Sequence, residues 1–268
     1  MSRRRKNVGT SFSSGFEGGL DLGLDFDPDF DLDFGLDLDL TFGGGPEYVP
    51  LRWYGDARSR TWRAVNLDRY DEARVTGRYD MPVLAPCTAI PRMLVDFNAA
   101  MKDEVLPRGA GIHFFIDDYR FERVWRIPGV YAERIVNRAG IALTPDFSLY
   151  LDMPEAMKVW NVYRSRLIGQ IFQDAGLNVI PTLQWAEPGS YDYCFDGVPE
   201  GATVAVSTVG VMMDEGSRRI WRHGMREALE RLRPQTVLLY GAMMPDFDFG
   251  AARVRHYAAR KWKKTEMG

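Results

Sequence analysis

The sequence predicts an α/β fold built of repeated strand-helix units. Short runs rich in Val, Ile and aromatic residues recur along the chain, and longer segments with apolar residues at helical spacing separate them. Parallel neighbours need a crossover long enough to hold a helix, so this alternation implies a mainly parallel sheet. The sheet is expected either to close as a TIM-like barrel, complete or incomplete, or to stay open.

The strands expected are IHFFI at 112–116, IAL at 141–143, NVIPTL at 178–183, TVAV at 203–206 and TVLLY at 236–240, with a further short one at 81–84. Helices are expected at 91–104, 128–138, 154–175 and 215–232. The third of these is followed by Gly176, a residue suited to the left-handed turn that ends helices. The fourth places Ile220, Trp221, Met225, Ala228, Leu229 and Leu232 on one stripe.

A chain of 268 residues, 46% of them hydrophobic, can bury one large core. No apolar run reaches the length of about 18 residues that a membrane span requires, and MSRRRK is followed by polar and small residues where a signal peptide would carry its apolar core. A cytoplasmic protein without membrane contact is expected. The two cysteines, Cys87 and Cys194, are far apart in sequence and read as reduced thiols; three scattered histidines complete no zinc motif. Neither a metal nor a cofactor is expected.

Charge is unevenly spread. Residues 1–45 hold four basic and nine acidic side chains, a net −5 against −3 for the whole chain, which leaves about +2 for the remainder. Within that segment GGLDLGLDFDPDFDLDFGLDLDLTF alternates Asp with Leu or Phe, and mutual repulsion, glycines and Pro28 argue for a disordered acidic tail. The main domain is placed at 46–250. A basic segment at 251–268 follows, carrying Arg253, Arg255, Arg260, Lys261, Lys263 and Lys264 interleaved with Tyr257 and Trp262; it reads either as a phosphate-contacting stretch or as a solvated helix end.

Active sites of parallel α/β folds lie beyond the carboxyl ends of the strands. Here those ends deliver Asp117, Asp118 and Tyr119; Asp146 and Ser148; Gln184 and Trp185; Ser207 and Gly210; and finally Asp246 and Asp248. Any one of them is more simply a cap or turn residue. Five successive strand ends point to one rim.

The stretches HFFIDDYRFERVW, TPDFSLY, VIPTLQW, CFDGVPEGATVAVSTVG and VLLYG resemble a family from phages, plasmids and bacteria known only as a domain of unknown function. The order of strand ends also resembles, more distantly, that of the tRNA-guanine transglycosylase superfamily, whose phage and bacterial relatives insert deazaguanines into DNA. That resemblance implies that Asp146 and Gln184 recognise guanine, that Asp117 shuttles a proton, and that Asp246 or Asp248 is the nucleophile. The zinc cysteines of the tRNA enzymes have no counterpart, which favours the DNA branch.

Base exchange needs a carboxylate to attack the sugar anomeric carbon and a second group to carry the proton between outgoing and incoming base. The partners implied are DNA and a free 7-deazaguanine, in the host cytoplasm if the protein is phage-encoded. Asp118, Tyr119, Trp185, Ser207 and Gly210 complete the expected substrate site, with aromatic rings stacking on an extruded base. Two other readings stand beside this one: a non-catalytic nucleic-acid-binding or replication-associated module, and a hydrolase holding a divalent ion through Asp117, Asp118 and Asp146.

Overall fold

The computed structural model describes residues 57–102 and 105–259. The tail expected at 1–45, and with it Arg260, Lys261, Lys263 and Lys264, lies outside the described residues.

After a short helix α1 (Ala57–Ala64), strands β1 (Val75–Thr76) and β2 (Met81–Pro82) form a small antiparallel pair. The remaining strands are all parallel. A four-stranded sheet runs in chain order through β3 (Met93–Asp96), β4 (Ala110–His113), β5 (Ile141–Leu143) and β6 (Asn178–Ile180), and a three-stranded sheet through β7 (Thr203–Ser207), β8 (Thr236–Tyr240) and β9 (Arg253–Tyr257). One parallel bridge, Thr182 to Ala205, links the two sheets. Helices α2 (Phe97–Lys102), α3 (Glu122–Arg126), α4 (Pro128–Val136), α5 (Glu155–Asp174), α6 (Tyr191–Cys194) and α7 (Glu215–Leu232) make the connections.

Apart from the exposed edge strand β9, both faces of the sheets are largely buried, and the period-2 alternation of the strands assigns each face its residues. Val95, Ile112, Ala142 and Val179 pack under Phe97, Phe114, Phe121, Leu167, Ile168 and Phe172. Val204, Val206, Val237 and Leu239 pack under Trp221, Met225, Ala228 and Leu232 of α7. The intervening positions Leu94, Ile141, Leu143, Ile180, Ala205, Leu238, Tyr240 and Tyr257 meet in a single cluster drawn from both sheets. Among the described residues no strand pairing joins β9 to β3, so the expected ring is not closed by a ladder. Side chains span that seam instead: the Tyr257 hydroxyl donates to Pro91 O at 2.5 Å and the Arg255 guanidinium to Arg92 O at 3.5 Å.

Helix ends follow local rules. α5 stops in a Schellman motif, with Gly176 at φ +92° and Leu177 N donating to Phe172 O at 3.0 Å. α7 starts on Asp214, whose side chain accepts from Ser217 N at 2.6 Å.

Two expectations are corrected. The helix expected at 91–104 is β3 followed by α2: Met93, Leu94 and Val95 pair in parallel with β4, and ladder pairing overrides an apolar run that could have been helical. The basic segment does not begin outside the domain, because Arg253–Tyr257 is the edge strand β9, paired with β8 along its length.

Candidate functional site

A cleft of about 680 Å³ opens at the carboxyl ends of β4, β5, β6 and β7. Its construction begins with two threonines. Beyond the last ladder pair of β5 and β6, Thr182 N donates to Thr144 Oγ1 at 2.9 Å and Thr182 Oγ1 to Thr144 O at 2.8 Å, so side chains continue the pairing past the point where Pro181, lacking an N–H, cannot. Thr182 also bridges Ala205. Asp146, Gln184 and Ser207 each lie two residues beyond this three-strand clasp. All three line the cleft.

Asp146 caps no helix: α5 begins at Glu155 with Pro154 at its N-cap. Burial, reinforced by the negative charge of Asp118, pushes its carboxyl up to about 7. Such a group both gives and takes a proton at neutral pH. Gln184 is the other unusual member, since its amide nitrogen and oxygen are both buried without a hydrogen-bond partner. A buried amide left unpaired costs on the order of 1–3 kcal/mol, so both amide atoms of Gln184 stand available to a partner that enters the cleft.

Asp117 lines the cleft and is exposed. It precedes the 3-10 turn Asp118–Arg120 without capping it. Asp118 instead turns to Ser148, accepting its N–H at 2.9 Å and its hydroxyl at 2.8 Å. Tyr119 is 70% exposed and stands outside the cleft lining. Gly210, at φ +80°, lines the β7 side, where the Ser207 hydroxyl accepts from Val209 N at 3.0 Å.

The back wall is aromatic. Trp185 donates through Nε1 to Ile220 O at 3.2 Å, and Trp221 through Nε1 to Ser207 O at 2.9 Å, so both indoles are fixed with their polar edges satisfied. Arg120, Leu151 and Trp221 also line the cleft and were not anticipated. Trp221 was visible only as a member of the apolar stripe of α7, while Arg120 and Leu151 carried no signal beyond nearness to Asp117 and Asp146.

Asp246 and Asp248 are not brought to this cleft. Phe247 and Phe249 pack on Trp221, with ring centroids at 5.3 and 6.4 Å, and neither aspartate is among the residues that line the cleft. Asp246 is exposed at φ +51°, and Asp248 accepts from Gly250 N at 2.8 Å beside a separate hollow of about 400 Å³. Arg253 and Arg255 lie on β9, away from the cleft lining. No three His, Cys, Asp or Glu side chains converge as a metal-binding set among the described residues, and Asp118 is already engaged by Ser148. Nor is any described helix long and apolar enough to cross a membrane.

The family model for a domain of unknown function, DUF4417, matches residues 73–258, a span from β1 to just past β9 that contains the whole cleft. The chain is 42% identical over 190 residues to the "Gene 1 protein" of Mycobacterium phage L5, covering 69% of this chain and 82% of that one. It is 44% identical over 211 residues to the "Gene 1 protein" of Mycobacterium phage D29, covering 76% and 77%. No solved structure gives a significant match. With a family model spanning every strand that builds the cleft, the chain belongs to the DUF4417 family.

Proposed function

We propose that the protein handles a nucleobase, exchanging guanine in DNA for a 7-deazaguanine through an aspartyl intermediate. The observation that carries this reading is the unpaired Gln184 amide in the same cleft as a proton-carrying Asp146. A guanine edge offers N–H donors beside a carbonyl acceptor, the complement of the Gln184 amide, which leaves Asp146 free to serve the glycosidic side of the base. The fixed indole of Trp185 supplies an apolar wall against which a flat ring can stack.

The chemistry uses carboxylates that line the cleft, so the nucleophile in this proposal is Asp117 and not Asp246 or Asp248. Asp117 attacks the sugar C1′ as the C1′–N9 bond breaks. The electron pair leaves with guanine, and Asp146 donates a proton to the departing base. Asp146, now ionised, takes the N9 proton of the incoming deazaguanine, whose nitrogen attacks C1′ and releases Asp117. Two carboxyl groups with different environments divide the roles, as in retaining glycoside transfer.

The architecture in this proposal is an incomplete TIM-like barrel. Seven parallel strands in chain order and one inner cluster drawn from both sheets support it. The kinship to phage proteins supports action on DNA in the cytoplasm of a bacterial host.

Incubating the protein with duplex DNA and labelled guanine tests the reading. Label should enter the DNA, a protein-DNA adduct should survive denaturation, and Asp117→Asn should abolish both. DNA that binds without acquiring label would reject exchange and favour the non-catalytic nucleic-acid module.

A further inference from the structure

The loops after β4 and β5 are clasped together by Asp118 and Ser148. Both Asp118 oxygens accept from Ser148, one from the N–H at 2.9 Å and one from the hydroxyl at 2.8 Å, the acceptor-only pattern of an ionised carboxylate. Ser148 is held from behind as well. Asn161 of α5 donates to its carbonyl at 2.7 Å, Arg164 donates to Asn161 Oδ1 at 2.7 Å, and Arg164 in turn forks onto Glu122 of α3 at 2.7 and 2.9 Å while lying 3.8 Å over the ring of Phe147. A continuous hydrogen-bonded chain thus runs from α3 through α5 to the loop that carries Asp146.

We propose that Asp118 is a positioning residue that touches no substrate: it locks the Asp146 loop to the β4 rim and, by its fixed negative charge, keeps Asp146 in the proton-carrying form. The consequence for exchange rests on the base-exchange reading above, whereas the clasp and its charge do not. Among the described residues, the other charged side chains that line the cleft are Asp117 and Arg120, both exposed on the β4 loop, while the paired Arg164 and Glu122 lie behind the Asp146 loop. Asp118 differs in being held rigidly two residues from Asp146, through Ser148. The upward displacement of the Asp146 carboxyl has burial as its first cause and Asp118 as its second, so removing the charge should leave only the burial part.

Asparagine at 118 still offers one oxygen to Ser148 and removes the charge; serine offers a hydroxyl and does the same. The test is a carbon-13 NMR titration of the full chain labelled at aspartate side-chain carboxyls, with the Asp146 signal assigned by its loss in Asp146→Asn. In Asp118→Asn and Asp118→Ser the Asp146 midpoint should fall by about one pH unit, as expected for losing a like charge at close range. In Ser148→Ala, which retains the charge and the N–H bond, it should stay within about half a unit on the same argument. The exchange pH profile should move down with the Asp118 variants. An unchanged midpoint in whichever Asp118 variant folds overturns the inference even if guanine exchange is robust. A wild-type protein with no exchange overturns the enzymatic reading and leaves the titration to decide the clasp.

Discussion

Gly224 of α7 lies so close to the indole of Trp185 that a Cβ built on it would stand 2.2 Å from Nε1 and 2.4 Å from two ring carbons. Inside a helix, Gly→Ala ordinarily stabilises by up to about 1 kcal/mol. Here the added methyl must push out a ring that lines the cleft and is fixed to Ile220 O.

Gly224→Ala should therefore lower stability by about 1–3 kcal/mol, the usual cost of overpacking, and reduce base binding in parallel as Trp185 shifts. Denaturant unfolding together with the tryptophan fluorescence spectrum checks it. A stabilised variant with an unchanged spectrum would show that the indole is free to move.

How far this arrangement could be read in advance depended on whether one residue's neighbours in sequence were also its determinants. IAL, TVAV and TVLLY were legible as strands because burial on both faces demands uninterrupted apolar runs. The meeting of Asp117, Asp146 and Gln184 was legible because it follows from their placement just past strands that pair in parallel. β3 was not, since Met93–Asp96 runs without a break into α2 and an apolar stretch of that length suits either state. β9 was hidden because an edge strand beside solvent tolerates RVRHY, which reads as a basic segment. For Asp246 and Asp248 a signal was present in PDFDF, where the two phenylalanines pack together and on Trp221 and the aspartates beside them stay exposed.

The seam between β9 and β3 gives a second prediction. Tyr257 donates to the carbonyl of Pro91, a buried residue, and no ladder substitutes for that bond among the described residues. Tyr257→Phe keeps the ring and leaves the acceptor unpaired, at a cost of about 1–2 kcal/mol. A lower urea midpoint with an unchanged slope is expected. Hydrogen exchange should quicken in β3 and β9 before β5 and β6, and uniform exchange across all strands would rule out a local seam.

Lys158 of α5 has a side chain only 3% exposed and pairs with Glu155 and Glu187, which remain 52% and 40% exposed. Glu187 follows the Gln184–Trp185 turn, so this pair anchors the loop that carries Gln184. In Lys158→Met both acids can turn to water, and stability should change by less than about 1 kcal/mol, because the apolar stem is retained and no buried charge is orphaned. Base affinity should fall all the same. The hydrogen bond from Lys158 holds the Glu187 carboxyl below its ordinary range, so its contribution is present above the usual glutamate pKa and is lost as pH falls through the lowered value. The variant should lack that acid-side component, and thermal melts at pH 3, 4 and 7 would reveal it.

Asp146 titrates in the opposite sense. Its carboxyl is held at about 7 against the ordinary 3.8, so between those values the folded chain keeps a proton that the unfolded chain has released. The stability conferred by that proton is full below about pH 4, declines as pH rises, and is gone above about pH 7. Asparagine cannot ionise, so the stability of Asp146→Asn relative to wild type should rise across that window, by up to about 4 kcal/mol for a displacement near three pH units. A helix-cap role would produce a different pattern, with alanine worse than asparagine by about 1 kcal/mol at every pH. No helix starts at Asp146, so that constant capping gap between alanine and asparagine is not expected, while both variants lose the pH dependence of the carboxyl. Guanine exchange should be lost in Asp146→Asn, which offers no transferable proton while keeping the shape of the site. Chemical denaturation of wild type, Asp146→Asn and Asp146→Ala at intervals from pH 4 to 8 decides the matter: parallel curves for all three would mean that Asp146 carries no unusual proton, and the role given to it in catalysis would fall with it.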